Sequence, residues 1–259
     1  MWGLDVHVSV RAGHPGTTPL LLLMGIGGNT GMWEPLRGLL GRDRTTIAFD
    51  VPGTGRSSPT AVPLPLPVVG RIATRVLDHV SVGRADLLGV SWGGLLAQQV
   101  ALVSRARVRR SVLANTNFGV TSIPPTPSAL RTLLSGRRYR DPASFAEALV
   151  QLGGGTATDD LRAHVEARFA HPPTRRGYLY QALASVTWTS LHALPLLRTP
   201  TLLLAGEHDQ AIPLANARIM RRLIPGAELT VVPGGGHLML FERAADLAPV
   251  ITGFLDRDG

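Results

Sequence analysis

Leu4, Val6, Val8 and Val10 alternate with polar residues near the start of the chain, the period-two pattern of a half-exposed outer strand. Beyond them the pattern changes. Short unbroken apolar runs occupy Pro19–Met24, Thr46–Phe49, Ala85–Val90, Ser111–Ala114, Thr201–Ala205 and Glu228–Val232. Apolarity without alternation is what strands covered on both faces require. Helical stripes lie between and after the runs, one at Ile72, Ala73, Val76, Leu77 and Val80, another at Leu247, Val250, Ile251, Phe254 and Leu255. Strand–helix–strand order predicts an α/β fold with a mostly parallel central sheet of about seven or eight strands covered by helices.

One long gap breaks the rhythm. Between Asn115 and Arg198 no strand pattern occurs for about eighty residues, far more than a crossover needs. The gap has helical patterns of its own at Ala129–Leu134, Ala143–Leu152 and Leu161–Phe169. The expected organisation is a core of residues 1–116 and 199–259 with a helical cap inserted at 117–198, although extra packing helices without a gating role would leave the same pattern.

Within the run "LLGVSWGGLLAQQ" stands a lone hydroxyl, Ser91, with Gly89 before it and Gly93 and Gly94 after it. A sharp strand-to-helix turn explains that arrangement. It forces the central residue into a strained conformation, projects its side chain from the sheet edge, and leaves no room for Cβ atoms two positions away. Ser91 would also stand at a helix N-terminus, which favours developing negative charge. With 29 glycines in the chain the G-x-S-x-G match is weak alone, and its position between a strand and a helix is what strengthens it.

A serine nucleophile needs a base, and the base needs an orienting acid. In this architecture they follow in the order Ser, acid, His, each after a later strand. Asp209 follows the run Thr201–Ala205 and His237 follows Glu228–Val232. Three glycines before His237 would let its loop swing the imidazole over Ser91. Glu207 is the rival acid. Asp50, also after a strand, reads as a turn-stabilising side chain. His7, His14, His79, His164, His171, His192 and His208 are weaker candidates by position. The backbone N–H groups of Trp92 and of Ile26, in the loop Gly25–Asn29, are the expected oxyanion donors. That loop is no dinucleotide fingerprint, because no acidic residue follows in register. Neither a metal nor an organic cofactor is required by this chemistry.

Composition narrows the picture further. Apolar residues make up 44% and charged residues 17%, the balance of a compact globular chain. The absence of cysteine removes disulfides, thiol nucleophiles and thiolate metal sites. The net charge of +8 comes from arginine alone. Small scattered arginine groups without aromatic interleaving read as a solvated basic surface, not a nucleic-acid site. No secretory signal and no transmembrane segment is legible, so a soluble, cytoplasmic protein is expected.

The stretches "GIGGNTGMWEPL", "IAFDVPGTGRSS", "GVSWGGLLAQQ", "WTSLHALPLLRTPTLLLAGEHDQAIPL" and "GGGHLML" together resemble the α/β-hydrolase family, and within it the intracellular poly(3-hydroxyalkanoate) depolymerases. "GVSWGGLLAQQ" and "WTSLHAL" carry the depolymerase likeness. The G-x-S-x-G and acid–His pattern itself is shared with esterases, lipases, thioesterases and lactonases, and fixes the reaction class only. The resemblance implies an ester hydrolase with Ser91, Asp209 and His237 as its triad, acting on a storage polyester of 3-hydroxy acids at granule surfaces. A lactonase, thioesterase, acyl transferase or cyclase of secondary metabolism, a cofactor-free peroxidase-like relative, or a non-catalytic granule- or ligand-binding relative would share most of these residues.

Overall fold

The computed structural model describes residues 3–14, 16–40, 44–135, 141–153 and 159–257. Seven strands are found among them: β1 (Val8–Arg11), β2 (Leu20–Leu23), β3 (Thr46–Phe49), β4 (Ala85–Val90), β5 (Val108–Ala114), β6 (Thr201–Gly206) and β7 (Glu228–Val232). They form one sheet in the order β1-β3-β2-β4-β5-β6-β7. All pairings are parallel except β1 with β3, which is antiparallel. The alternating segment at the chain start is thus an edge strand, with Val10 half exposed.

The chain runs from β2 out to β3 and then crosses back to β4, on the other side of β2. Adjacent loops at the carboxyl ends of β2 and β4 therefore leave in opposite directions, which opens a crevice there.

Burial on both faces explains the unbroken apolar runs. Leu20, Leu22, Leu88, Val112, Leu202 and Leu204 pack on one side with Trp33, Leu36, Ile251 and Phe254. Leu21, Leu23, Ile47, Leu87, Leu113 and Leu203 pack on the other with Ile72, Val76, Leu96, Val100 and Met220. The covering helices are α1 (Glu34–Leu39), α2 (Leu66–His79), α3 (Trp92–Val103), α8 (Leu214–Leu223), α9 (Met239–Glu242) and α10 (Ala244–Leu255). Removing that much apolar surface from water is the main driving force for the fold.

β5 begins three residues earlier than its apolar run. Arg109 and Arg110 can lie in a buried strand because their charges are met locally. Buried Asp86 accepts from Arg109 Nη2 at 2.6 Å and from Arg44 Nη1 at 3.1 Å, while Arg110 Nη2 donates to the Arg257 carbonyl at 2.9 Å. Arg109 and Arg110 are structural and do not belong to the solvated basic surface expected of the arginine groups.

Between β5 and β6 the described residues form four α-helices: α4 (Pro127–Leu134), α5 (Pro142–Gln151), α6 (Asp159–Ala170) and α7 (Arg175–Val186). Thr126, Asp141 and Thr174 cap α4, α5 and α7 through their side-chain oxygens. α7 has no amphipathic stripe to betray it. It buries Gly177, Gln181 and Ala184 and turns Leu179, Leu183 and Val186 to solvent. None of the described helices is long and apolar enough to cross a membrane.

Candidate active site

Ser91 follows the last residue of β4 and stands as the N-cap of α3 with φ +53° and ψ −120°. That conformation is costly for a residue with a side chain, and surrounding packing enforces it. A Cβ on Gly89 would overlap the Gly93 carbonyl, and one on Gly93 would overlap the Leu23 carbonyl of β2. The two glycines therefore let the elbow turn against its own helix and against the neighbouring strand. Ser91 N–H donates to the Ala114 carbonyl at 2.9 Å, and Thr116 Oγ1 donates to the Ser91 carbonyl at 2.7 Å. The Ser91 hydroxyl caps no helix N–H, and it points elsewhere.

It points at His237. Ser91 Oγ lies 3.2 Å from His237 Nε2, and His237 Nδ1 lies 2.8 Å from Asp209 Oδ2. These three side chains come from the carboxyl ends of β4, β7 and β6, and the sheet order brings them to one rim. The Asp209 side chain is 1% exposed and that of His237 13%. Asp209 Oδ1 accepts from the N–H groups of Ala211 at 2.9 Å and Ile212 at 2.8 Å. Those bonds leave Oδ2 facing the imidazole. Glu207, the rival acid, accepts from Gly234 N–H at 2.9 Å on the exposed side of the loop and does not face the ring.

The loop carrying His237 brings the imidazole over Ser91 and is hydrogen-bonded to the loop after β6. Glu207 N–H donates to Val232 O at 3.1 Å and His208 N–H to Gly235 O at 2.8 Å. The close approach of this loop to β6 depends on Gly206, where a Cβ would press on the Gly235 and Gly236 carbonyls.

Asn115, which the sequence reading passed over, completes the set. It sits at the carboxyl end of β5 with φ +44°. Its Nδ2 donates to Asp209 Oδ2 at 2.7 Å and to the Gly236 carbonyl at 3.2 Å. Both neighbours are acceptors, so the amide orientation is determined. Its position between the serine strand and the acid strand was the only available signal.

The loop after β2 passes directly beside Ser91: a Cβ on Gly25 would stand 3.5 Å from Ser91 Cβ. Gly28 N–H closes a four-residue turn onto Gly25 O at 3.0 Å, with Gly27 third in the turn at φ +68°. Such a turn requires glycine there. Ile26 is thus carried on a tight turn next to Ser91. Trp92 is the first residue of α3, where a backbone N–H has no intrahelical partner.

Other singled-out residues take structural places. Asp50 is buried and accepts from Thr30 N–H at 2.6 Å and Arg56 N–H at 2.8 Å, as expected of a turn stabiliser. His164 is buried against Phe241, with ring centroids 4.0 Å apart, and its Nδ1 lies 3.1 Å from the Met32 carbonyl. Burial pushes its pKa down to about 3, and the charge of Arg168 adds to the effect. Among the described residues no group of three or more His, Cys, Asp or Glu is placed to hold a metal ion.

The two stretches that carried the depolymerase likeness meet in space. Trp188 Nε1 donates to Gln99 Oε1 at 2.7 Å, and Ser190 Oγ donates to Gln98 Oε1 at 2.7 Å. α3, whose N-cap is Ser91, is thereby tied to the segment that enters β6.

Comparison with known proteins agrees with this fold. A family model described as the alpha/beta hydrolase fold matches residues 18–244. The chain is 39% identical over 255 residues, 98% of its own length and 90% of the relative's, to a poly(3-hydroxyalkanoate) depolymerase of Ectopseudomonas oleovorans. An esterase from Exiguobacterium antarcticum shares the fold with a TM-score of 0.85 at 20% identity, covering 98% of this chain and 97% of that one. The enol-lactonase from Burkholderia xenovorans LB400 does so with a TM-score of 0.81 at 22% identity and 98% coverage of both. The chain belongs to the α/β-hydrolase fold family.

Proposed function

We propose that the protein is a serine hydrolase of carboxylic esters whose substrate is a polyester of 3-hydroxy acids. The single observation that carries the reaction class is the relay from Ser91 Oγ through His237, at 3.2 Å, to Asp209, at 2.8 Å. The polyester assignment is supported by the 39% identity to the depolymerase across nearly both chains.

In this reading His237 Nε2 takes the Ser91 proton as Oγ attacks the ester carbonyl. The carbonyl π pair moves onto oxygen, where the N–H groups of Ile26 and Trp92 receive the charge. Asp209 stays ionised and stabilises the imidazolium through Nδ1. Collapse expels the alcohol oxygen, which takes the proton from His237. Water, deprotonated by His237, then cleaves the acyl-enzyme, releasing the hydroxy acid and restoring Ser91. The 117–198 segment serves as the cap over this rim. The reading places the protein in the cytoplasm, at storage-polyester granules.

The test is to incubate the protein with short- and medium-side-chain polyester emulsions and with a 4-nitrophenyl ester, and to identify the released acids. Release of 3-hydroxy acids, lost by roughly 10³-fold or more in Ser91→Ala, is the expected result. Turnover of small esters or lactones without attack on either polymer would contradict the polyester assignment. Undiminished turnover by Ser91→Ala would contradict the mechanism.

A further inference from the structure

A helix that buries a glutamine and exposes two leucines and a valine is not docked by hydrophobicity. In α7 the inward face carries Gln181, 4% exposed, between Gly177 and Ala184, while Leu179 is 54% exposed. Side-chain amides are costly to bury unless they make specific bonds, and the Gln181 side chain makes one at a telling place. Its Oε1 accepts the Gly27 N–H at 2.6 Å. Its own backbone carbonyl accepts the Trp92 indole N–H at 2.9 Å.

We infer that Gln181 is a positioning residue for the oxyanion hole, gripping from the cap both loops that supply its donors. The inference rests on the proposed reading, in which the Ile26 and Trp92 N–H groups receive the developing charge. Gly27 N–H belongs to the peptide unit that follows Ile26, so the bond to Gln181 fixes the plane of that unit. On the other side of the turn, Arg168 Nη1 of α6 donates to the Gly27 carbonyl at 3.0 Å. Gly27 at φ +68° is held against Tyr178, Arg168 and Pro173, each of which a Cβ there would approach within 3.2 Å. The turn carrying one donor is thus clamped at both polar groups of Gly27 by two helices of the 117–198 segment. The residue carrying the other donor, Trp92, is held through its indole by the same Gln181.

Electrostatic stabilisation of an oxyanion depends on donors being aimed before the charge develops. Without the Gln181 acceptor, the buried Gly27 N–H has lost its partner and the turn must rotate to find another. Glycine at the third position makes such rotation easy. The hole would then be assembled only when α7 is seated, which couples cap position to the chemical step and leaves substrate binding largely untouched.

Gln181→Met keeps the length of the side chain and removes the acceptor. Gln181→Glu keeps an acceptor oxygen in place. Both are assayed with a 4-nitrophenyl ester and with a trifluoromethyl ketone. Ser91 Oγ adds to the ketone carbon, its proton passing to His237, so that the former carbonyl oxygen sits in the hole as a stable mimic of the transition state. Removing an oxyanion donor outright costs about 10²–10³-fold, so misaiming one is expected to cost about tenfold or more.

The expected result for Gln181→Met is a kcat lower by about tenfold or more, KM within about twofold, and a ketone affinity lowered by the same factor as kcat/KM. The pH midpoint of kcat/KM should not move, and Gln181→Glu should stay within about fivefold of the parent. Should Gln181→Met fail to fold, Trp92→Phe removes the indole contact alone and is expected to lower kcat and ketone affinity together by about threefold or more. The inference is overturned if the folded Met variant, or Trp92→Phe in its absence, keeps kcat and ketone affinity within twofold. It is also overturned if the Glu variant loses as much as the Met variant. Failure of the parent protein to bind the ketone at all would instead remove the serine hydrolase reading beneath it.

Discussion

Asn115 Nδ2 donates at 2.7 Å to the Asp209 oxygen that also meets His237 Nδ1. One carboxylate oxygen is thus shared by an amide and an imidazole, while the other is filled by two backbone N–H groups. Asn115→Asp tests this arrangement, because aspartate tolerates the left-handed backbone and replaces the donor with a second carboxyl. Two carboxylates at that distance cannot both ionise, so one holds a proton at a raised pKa. Below that pKa the introduced carboxyl still donates to Asp209. Above it the pair repels and His237 loses its orienting partner. The expected outcome is a kcat/KM profile with a new loss on the alkaline side, which the parent protein lacks. A profile of unchanged shape would show that Asn115 does not act on Asp209.

Gly93 marks where the elbow presses on the neighbouring strand, for a Cβ there would overlap the Leu23 carbonyl of β2. Backbone cannot rotate away as a side chain can. Gly93→Ala is expected to lower the unfolding free energy in urea by about 2 kcal/mol or more. A loss below about 0.5 kcal/mol would mean that the α3–β2 approach is looser than described.

His164 lies unprotonated in the interior, its pKa pushed down to about 3 by burial. In the unfolded chain it titrates at about 6.5. The unfolded state therefore binds the extra proton first as pH falls, and stability is lost between those two values, fully retained only above the upper one. From pH 7.5 to pH 5 this group alone should remove roughly 2 kcal/mol. Urea titrations at both pH values should show that His164→Gln, though less stable at pH 7.5, loses less over the interval than the parent. Equal losses would exclude His164 as the source.

Much of this was legible in the residues. Ser91 announced itself because an elbow needs glycines on both sides and an apolar strand before it. Asp209 and His237 followed because parallel strands deliver their loops to one rim, in chain order. Glu207 could be set aside only in three dimensions, where it binds Gly234 N–H on the exposed side. Asn115 and Gln181 were not legible for a different reason. Each acts by aiming one amide group at a distant element, and such a contact leaves no periodicity or spacing. α7 hid for the same cause, since its buried face carries Gly177 and Gln181 where an apolar stripe would be sought. Arg109 and Arg110 misled the reading of β5 because buried Asp86, over twenty residues earlier, meets Arg109 and helps admit the pair to the strand.

The most direct measurement is the rate and site of labelling by a fluorophosphonate, which reacts with a serine oxygen only when a base withdraws its proton. Peptide mass spectrometry of the parent protein should find a single adduct, on Ser91, and His237→Ala should form it at least about 100-fold more slowly. An adduct elsewhere, or equal rates with and without the imidazole, would contradict the account.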